Sequence, residues 1–382
     1  MRAAKRLGAT ACAAALLTLG LGAGSALAAP GSGGSGFPGF ARPLFVQTDG
    51  LTGNQIVVYD RGADGTLTPA GTYPTDGLGG KLEGSVVDHL ASQGSLTLDR
   101  ADGLLLAVNA GSNTISVFGA FGDHLFLRQT IPSGGVFPVS IAVHNGLVYV
   151  LNAEEGGSVA GFRAFGGRLV PIAGSVRPLG LNPTATPQFV NTPGQVAFTP
   201  TGSQLIVTTK ANGSSVDVFG VSPSGRLSAS PTVNSLPGAV PFAVSFDAAG
   251  HPVISEAGTD ALATFELSPS GELTQLDALG TGQAATCWVV RSGQYFYASN
   301  AGSASLSDFQ EGAGSQLTLF GQTTTDAGTV DATVPDGGRY LYVQTGGSGI
   351  VDEYSIAPSG ALSAIGSVTV PGAVGGEGIV AP

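Results

Sequence analysis

Apolar residues recur along this chain in short period-two runs separated by glycine- and asparagine-rich turns, and one phrase returns seven times. The copies register on an aromatic strand end: Tyr59, Phe118, Phe162, Phe219, Phe265, Phe309 and Tyr354, at spacings of 59, 44, 57, 46, 44 and 45. A leucine follows each aromatic after a Gly-x-Leu or Gly-x-x-Leu hairpin, at Leu67, Leu125, Leu169, Leu227, Leu273, Leu317 and Leu362. Within a phrase, strand A alternates (Leu96, Leu98; Val196, Phe198; Val244, Phe246). A turn such as Asp102-Gly103 or Asn145-Gly146 leads to strand B, the most apolar, as in Leu147 to Leu151. Strand C ends on the aromatic, and strand D is expected to begin at the leucine. No window carries a 3.6-residue apolar stripe. A period of roughly 40–50 residues built from four short strands predicts propeller blades. The expected fold is all-β: a seven-bladed β-propeller of four-stranded blades over residues 43–382, with no second domain.

The pattern also predicts how the ring closes. The first copy opens directly on a strand B, Leu44 to Gln47, with no strand A of its own. The tail from Gly375 to Pro382 reads as a strand A without a blade. Pairing the two would remove an open sheet edge. Two spacings exceed the period, and the excess falls between strand D and the next strand A: Thr75 to Gln93 and Pro178 to Pro193. D–A and B–C connections leave a blade on the same face, so both insertions should rim one mouth of the central channel. Long loops on a rigid scaffold are where function concentrates, although surface decoration alone would also lengthen a loop.

The chain start changes the picture of its setting. Arg2, Lys5 and Arg6 precede an Ala/Leu-rich run to Leu21, and Ala26-Leu27-Ala28 has the small-x-small form of a cleavage site. This predicts a secretory signal peptide over 1–28, cleaved near Ala28, then a Gly/Ser/Pro linker over 29–42. The expectation is a secreted, extracellular protein with no membrane anchor. Without the leader, 12 Lys+Arg stand against 26 Asp+Glu, a net charge of −14. Such a surface makes nucleic acid a poor partner. A single cysteine, Cys287, then remains, so no intrachain disulfide can form and the core must hold without one.

Candidate chemistry follows from the alignment of the copies. Near the start of strand A stand Ser95, Ser140, Gln195, Ala243, Cys287 and Asp331, with Glu377 equivalent in the tail. At the end of strand B stand Thr48, Asn109, Asn152, Thr209, Glu256, Asn300 and Thr345, with Lys210 adjacent. Both rings should face the channel near the insertions. Gln195, Lys210, Glu256, Cys287, Asp331 and Glu377 are therefore expected to share one pocket. Glu256 and Lys210 would be its acid–base pair, and Gln195, Asp331, Glu377 and Cys287 would contact the ligand. The competing reading is that polar rings at strand ends satisfy turn backbone groups and channel water, which the Asn/Thr ring favours. Cys287 would then be a small buried filler. None of the four histidines has Cys/His neighbours at metal-ligand spacing, so neither a metal nor a cofactor is expected.

Strand phrases such as Val148-Tyr149-Val150-Leu151-Asn152 and Tyr340-Leu341-Tyr342-Val343 carry a family resemblance, as do the Phe-x-x-x-Pro-Ser-Gly-x-Leu segments at 219–227 and 265–273. The chain resembles the lactonase-type seven-bladed propellers, which include bacterial 6-phosphogluconolactonase-like proteins and fungal carboxymuconate cyclases. The resemblance implies Pro-Arg-His on a mid-chain strand A, Asn-Glu after its strand B, and a later Asn-Arg-Gly. The matching positions here are Pro193-Gly194-Gln195, Thr209-Lys210 and Asn300-Ala301-Gly302. The arginines that would pair an anionic substrate are replaced, which argues against a phosphorylated sugar lactone. Two function classes stand open. One is a lactonase-like hydrolase or cyclase with a rearranged site, acting on a small uncharged ring. The other is a non-catalytic propeller, a monomer binding a small molecule or an extracellular protein through its loop-rich face.

Overall fold

The computed structural model describes residues 42–382; the expected signal peptide, its expected cleavage near Ala28 and the expected linker up to residue 41 lie outside the described residues. Seven antiparallel sheets stand in a ring, each with strand order A-B-C-D from the axis outward. Strand B is buried along its whole length because it lies inside its sheet and is covered on both faces by neighbouring blades. Leu104–Asn109 and Leu147–Asn152 show this, and their continuous apolar runs follow from it. The core lies between successive sheets. Phe45, Ile56 and Val58 of blade 1, for example, pack on Leu96, Leu105 and Phe118 of blade 2.

A repeated polar staple fixes the angle between blades. The strand B tyrosines Tyr149, Tyr297 and Tyr342 each donate to a glycine carbonyl in the C–D hairpin of the next blade, at 2.8, 2.7 and 2.7 Å. The acceptors are Gly225, Gly360 and Gly65, all with positive φ. Side chains are excluded there for a second reason: a Cβ on Gly65 or Gly360 would lie 2.3 or 2.4 Å from the ring of Tyr340 or Tyr295.

Closure follows the expected route. The tail strand Ile379–Val380 pairs antiparallel with Pro43–Gln47, Val46 opposite Ile379 and Phe45 opposite Val380. Ile379 and Ala381 are buried in one cluster with Leu44, Val46 and Tyr342. The tail therefore fills the seam between blades 7 and 1 as well as completing a sheet.

Two outer strands depart from the pattern. In blade 4 strand D begins at Thr232, not at Leu227. Leu227 makes only one bridge, to Val221, because Arg177 of the preceding blade donates to the carbonyls of Leu227 and Ser228 and draws the chain aside. In blade 3 strand D breaks into Arg168–Pro171 and Arg177–Pro178. No helix among the described residues is long and apolar enough to cross a membrane.

Candidate functional site

The first insertion closes the channel mouth. From strand D of blade 1 the chain crosses the axis and is pinned on several sides. His89 N donates to Gly375 O in the tail (2.8 Å), Ser92 Oγ to Val139 O of blade 3 (2.9 Å), and Gln93 N to Gly194 O beside blade 4 (3.1 Å). The Gln93 amide makes two bonds to Val289 on strand A of blade 6, at 3.2 and 3.0 Å. The Trp288 indole N–H donates to Ser92 O (2.5 Å). Asp88 organises the turn inside the insertion by accepting from the backbone N–H groups of Leu90 and Ser92 (2.8 and 2.9 Å). The second insertion lies against the first, with Glu83 N donating to Gln188 Oε1 at 2.8 Å.

Lys210 joins the two insertions. It follows strand B of blade 4, has φ +51 and is 1% exposed. Its ammonium donates to Ala91 O of the first insertion (2.6 Å) and to Phe189 O and Thr192 Oγ1 of the second (2.7 and 3.2 Å). It also stands 5.4 Å from the centre of the Phe242 ring. Among the described residues it forms no salt bridge, so neutral oxygens and a π-face hold the charge. Burial brings its pKa down to about 7, opposed by the negative charge of Asp88.

Beside this clasp, off the axis, lies a cavity of about 560 Å³. Val86, Val87 and Phe189 of the insertions wall one side, and Phe242, Cys287 and Trp288 of blades 5 and 6 wall the other. Lys210 and Asp88 are the charged groups in its wall. Phe242 and Trp288 meet edge to face at 4.8 Å. Burial pushes the Cys287 thiol up to about 12, so it stays protonated and is a weak nucleophile.

The six residues expected to share a pocket are divided by the structure. Lys210 and Cys287 line the cavity. Gln195 does not; its side-chain carbonyl accepts from Val244 N at 2.6 Å and ties strand A of blade 4 to that of blade 5. Glu256 is also outside the lining and is held by its own turn, where Thr259 Oγ1 donates to it at 3.0 Å. Asp331 and Glu377 belong to a separate buried cluster on the axis with Asp49. Glu377 N donates to Asp49 Oδ2 (2.9 Å), Gly94 N to Glu377 Oε1 (3.1 Å) and Ser92 Oγ to Glu377 Oε2 (3.3 Å), while the Asp331 carboxyl bonds Glu377. Burial raises all three carboxyls, Asp49 to about 8 and Asp331 to about 7, and mutual repulsion adds to the rise of Glu377. Two asparagines of the Asn/Thr ring are bound up in turns: Asn109 donates to Thr114 and Ser116, and Asn300 to Ser305 and Ser307, whereas the buried Asn152 side-chain amide has no partner among the described residues.

Bulges bear on part of this division. Register shifts by one residue at the start of strand A in blades 3, 5, 6 and 7, at Pro138/Ser140, Pro241/Val244, Thr286/Trp288 and Thr329/Ala332. A bulge re-aims the side chains beside it, so a period-two count cannot assign their faces. Cys287 and Asp331 both fall within such shifts. The sequence reading also missed the walls Phe242, Trp288, Phe189 and Val87. The usable signals were the chain's single tryptophan and the two valines at the tip of a loop otherwise rich in glycine and charge.

A family model described as "Lactonase, 7-bladed beta-propeller" matches residues 83–375. Among solved structures, the periplasmic gluconolactonase of Pseudomonas aeruginosa aligns with a TM-score of 0.71 at 19% identity, over 89% of this chain and 98% of that one. A protein from Lactobacillus plantarum gives 0.71 at 22% identity, over 90% and 99%. A Bacteroides uniformis protein provisionally named a 6-phosphogluconolactonase gives 0.72 at 18%, over 90% and 100%. No curated protein matches. At these identities the structural likeness speaks for the fold alone.

Proposed function

Since this chain belongs to the lactonase seven-bladed β-propeller family, we propose that it is an exported member whose ligand is a small, uncharged, largely apolar ring compound. In the family's chemistry that compound is a lactone, held between the two insertions. The observation that carries this reading is the composition of the cavity wall. Aromatic and aliphatic side chains dominate it, and the position where the family resemblance calls for an arginine is Ala301, which lines it. With no guanidinium in the wall, a phosphorylated or carboxylate substrate finds no bidentate fork, and the one ammonium, Lys210, is already held by three acceptors beside the Asp88 carboxyl.

Lys210 is the group that can act on a bound ring. Its contact to Thr192 Oγ1 is the longest of the three, at 3.2 Å. Exchanging that contact for the carbonyl oxygen of a lactone would polarise the ester and stabilise the oxyanion as water adds. Only the ammonium can do this, so turnover should fall as pH rises through about 7. Binding without turnover is the second reading. It is favoured by the fact that Lys210 already has three acceptors in place.

A panel of uncharged and phosphorylated lactones, tested with the secreted protein and with Lys210→Met, separates these readings. An enzyme hydrolyses the uncharged members, and Lys210→Met lowers turnover ~10²-fold. A binding protein shows saturable binding with hydrolysis at background. Preference for the phosphorylated members would overturn both. For export, N-terminal sequencing of protein from the medium should begin at Ala29; an intact Met1 or a membrane-bound product would contradict it.

A further inference from the structure

On the face opposite the insertions, where the chain ends meet, lies a second concavity of about 380 Å³. Its walls are Arg42 and Pro382 from the closure, Arg61 and Gly62 at the end of strand C of blade 1, and the A–B turn of blade 7 from Pro335 to Tyr340. We propose that this concavity binds a small dianion, a phosphate or phosphomonoester group, between the guanidiniums of Arg42 and Arg339.

Three guanidiniums, Arg42, Arg61 and Arg339, share this wall with one acidic side chain, Asp336, and with the main-chain oxygen of Pro382. Asp336 is taken by Arg100 from outside the wall. Arg61 is spent on the chain ends: Nε donates to Arg42 O and Pro43 O (3.2 and 3.3 Å) and Nη2 to Pro382 O (3.0 Å). Arg42 and Arg339 are different. Among the described residues neither forms a salt bridge, and neither guanidinium donates a hydrogen bond. Residues 1–41 contain no Asp or Glu, so no side-chain carboxylate of theirs can pair with either arginine.

Among the described residues Arg100 is the one Lys or Arg that forms a salt bridge, so these two forks are set apart by lining one concavity together rather than by being unpaired. Two unpaired guanidinium forks facing one concavity match the oxygens of a tetrahedral dianion, which accepts bidentate bonds from each. Tyr340 supplies an apolar floor. Its hydroxyl is anchored on Ala63 O at 2.8 Å, and Arg339 lies over its ring at 5.5 Å. The floor leaves room for a short organic substituent on the anion. The site is independent of the apolar cavity, which opens on the other face.

The test is isothermal titration of the full secreted protein with inorganic phosphate, at an ionic strength fixed with sodium chloride. Saturable binding of one phosphate is expected, with sulfate competing and chloride not. Replacing both free forks (Arg42→Gln with Arg339→Gln) should weaken binding ~10-fold or more. Melting temperature should stay near wild type, since neither fork bonds within the fold. Arg339→Lys keeps the charge but loses the fork and should fall between the two, which keeps the test open should the double variant fold poorly. Glycerol phosphate binding tighter than phosphate identifies a monoester ligand; equal affinity identifies the free ion. No saturable phosphate binding, or equal binding by wild type and the double variant, would overturn the proposal.

Discussion

Two buried regions lie side by side at the insertion end of the channel, and they use polar groups in opposite ways. On the axis, Asp49, Asp331 and Glu377 are packed together, and bonds from Gln47, Glu377, Gly94, Ser92 and Ala332 occupy most of their oxygens. Beside this cluster, the cavity under the insertions has apolar walls and room for a ligand, with Lys210 clasped at its edge and Asp88 in its wall. The axis cluster resembles an acid–base site in composition, yet its donors and acceptors are turned on each other and on backbone. The cavity has fewer polar groups and more space. A ring of polar side chains at a channel mouth is thus weaker evidence for a site than apolar walls that leave a void.

The comparison can be broken hardest at the tail, which supplies both the closing strand and Glu377. A chain ending at Val374 would uncover Ile379's neighbours in the closing seam and leave Asp331 without its partner. Stability should fall on the order of 5 kcal/mol, read from denaturant midpoints. Unchanged midpoints would mean that the axis region does not hold the ring shut.

The next effect is on pH. Asp49, Asp331 and Glu377 have folded pKa values above their unfolded ones. The stability they confer is present below their unfolded values and is lost as pH rises through their folded ones, about 7 for Asp331 and about 8 for Asp49. Lys210 acts in the other direction above about 7, since its folded form gives up a proton that the unfolded chain keeps, but the carboxyls outnumber it. Melting temperature should drop by ~4 °C or more between pH 5 and pH 8.5. Asp331→Asn with Glu377→Gln should reduce that slope, leaving the share of Asp49, without changing ligand binding. A slope unchanged in the double variant would place the titrating groups elsewhere.

The smallest expected effect is at Glu256. Its partner is the hydroxyl of Thr259, which Gln can still accept. Glu256→Gln should change stability by less than ~0.5 kcal/mol and leave ligand affinity unchanged. A ~10-fold loss of affinity on titration would return Glu256 to the site.

What could be read from sequence, and what could not, divides along the same physical line. Blades and closure rest on local rules. Period-two burial marks Leu96 and Leu98, the Gly-x-Leu hairpin marks Leu273 and Leu362, and an orphan strand at each chain end implies their pairing. The insertions were legible as excess length, and both line the cavity. The division of the polar residues was not legible. Gln195 turns to a neighbouring backbone N–H, and Cys287 and Asp331 sit in bulges, so their facing depends on the register of the partner strand rather than on spacing. Lys210 was placed at the right strand end, but its role as a clasp depends on carbonyls of Ala91 and Phe189, which carry no side-chain signature.

The central claim is that ligands enter the apolar cavity and leave the axis cluster alone. Trp288 is the chain's single tryptophan and stands in the cavity wall, so its fluorescence reports occupancy with no label. Titration with δ-decalactone, an uncharged apolar lactone, should give a saturable shift in Trp288 emission. Lys210→Met should weaken the shift ~10-fold, Asp331→Asn should leave it unchanged, and gluconolactone 6-phosphate should produce none. A saturable response to the phosphorylated sugar lactone, lost in Asp331→Asn and absent with δ-decalactone, would contradict the claim and put the ligand on the axis.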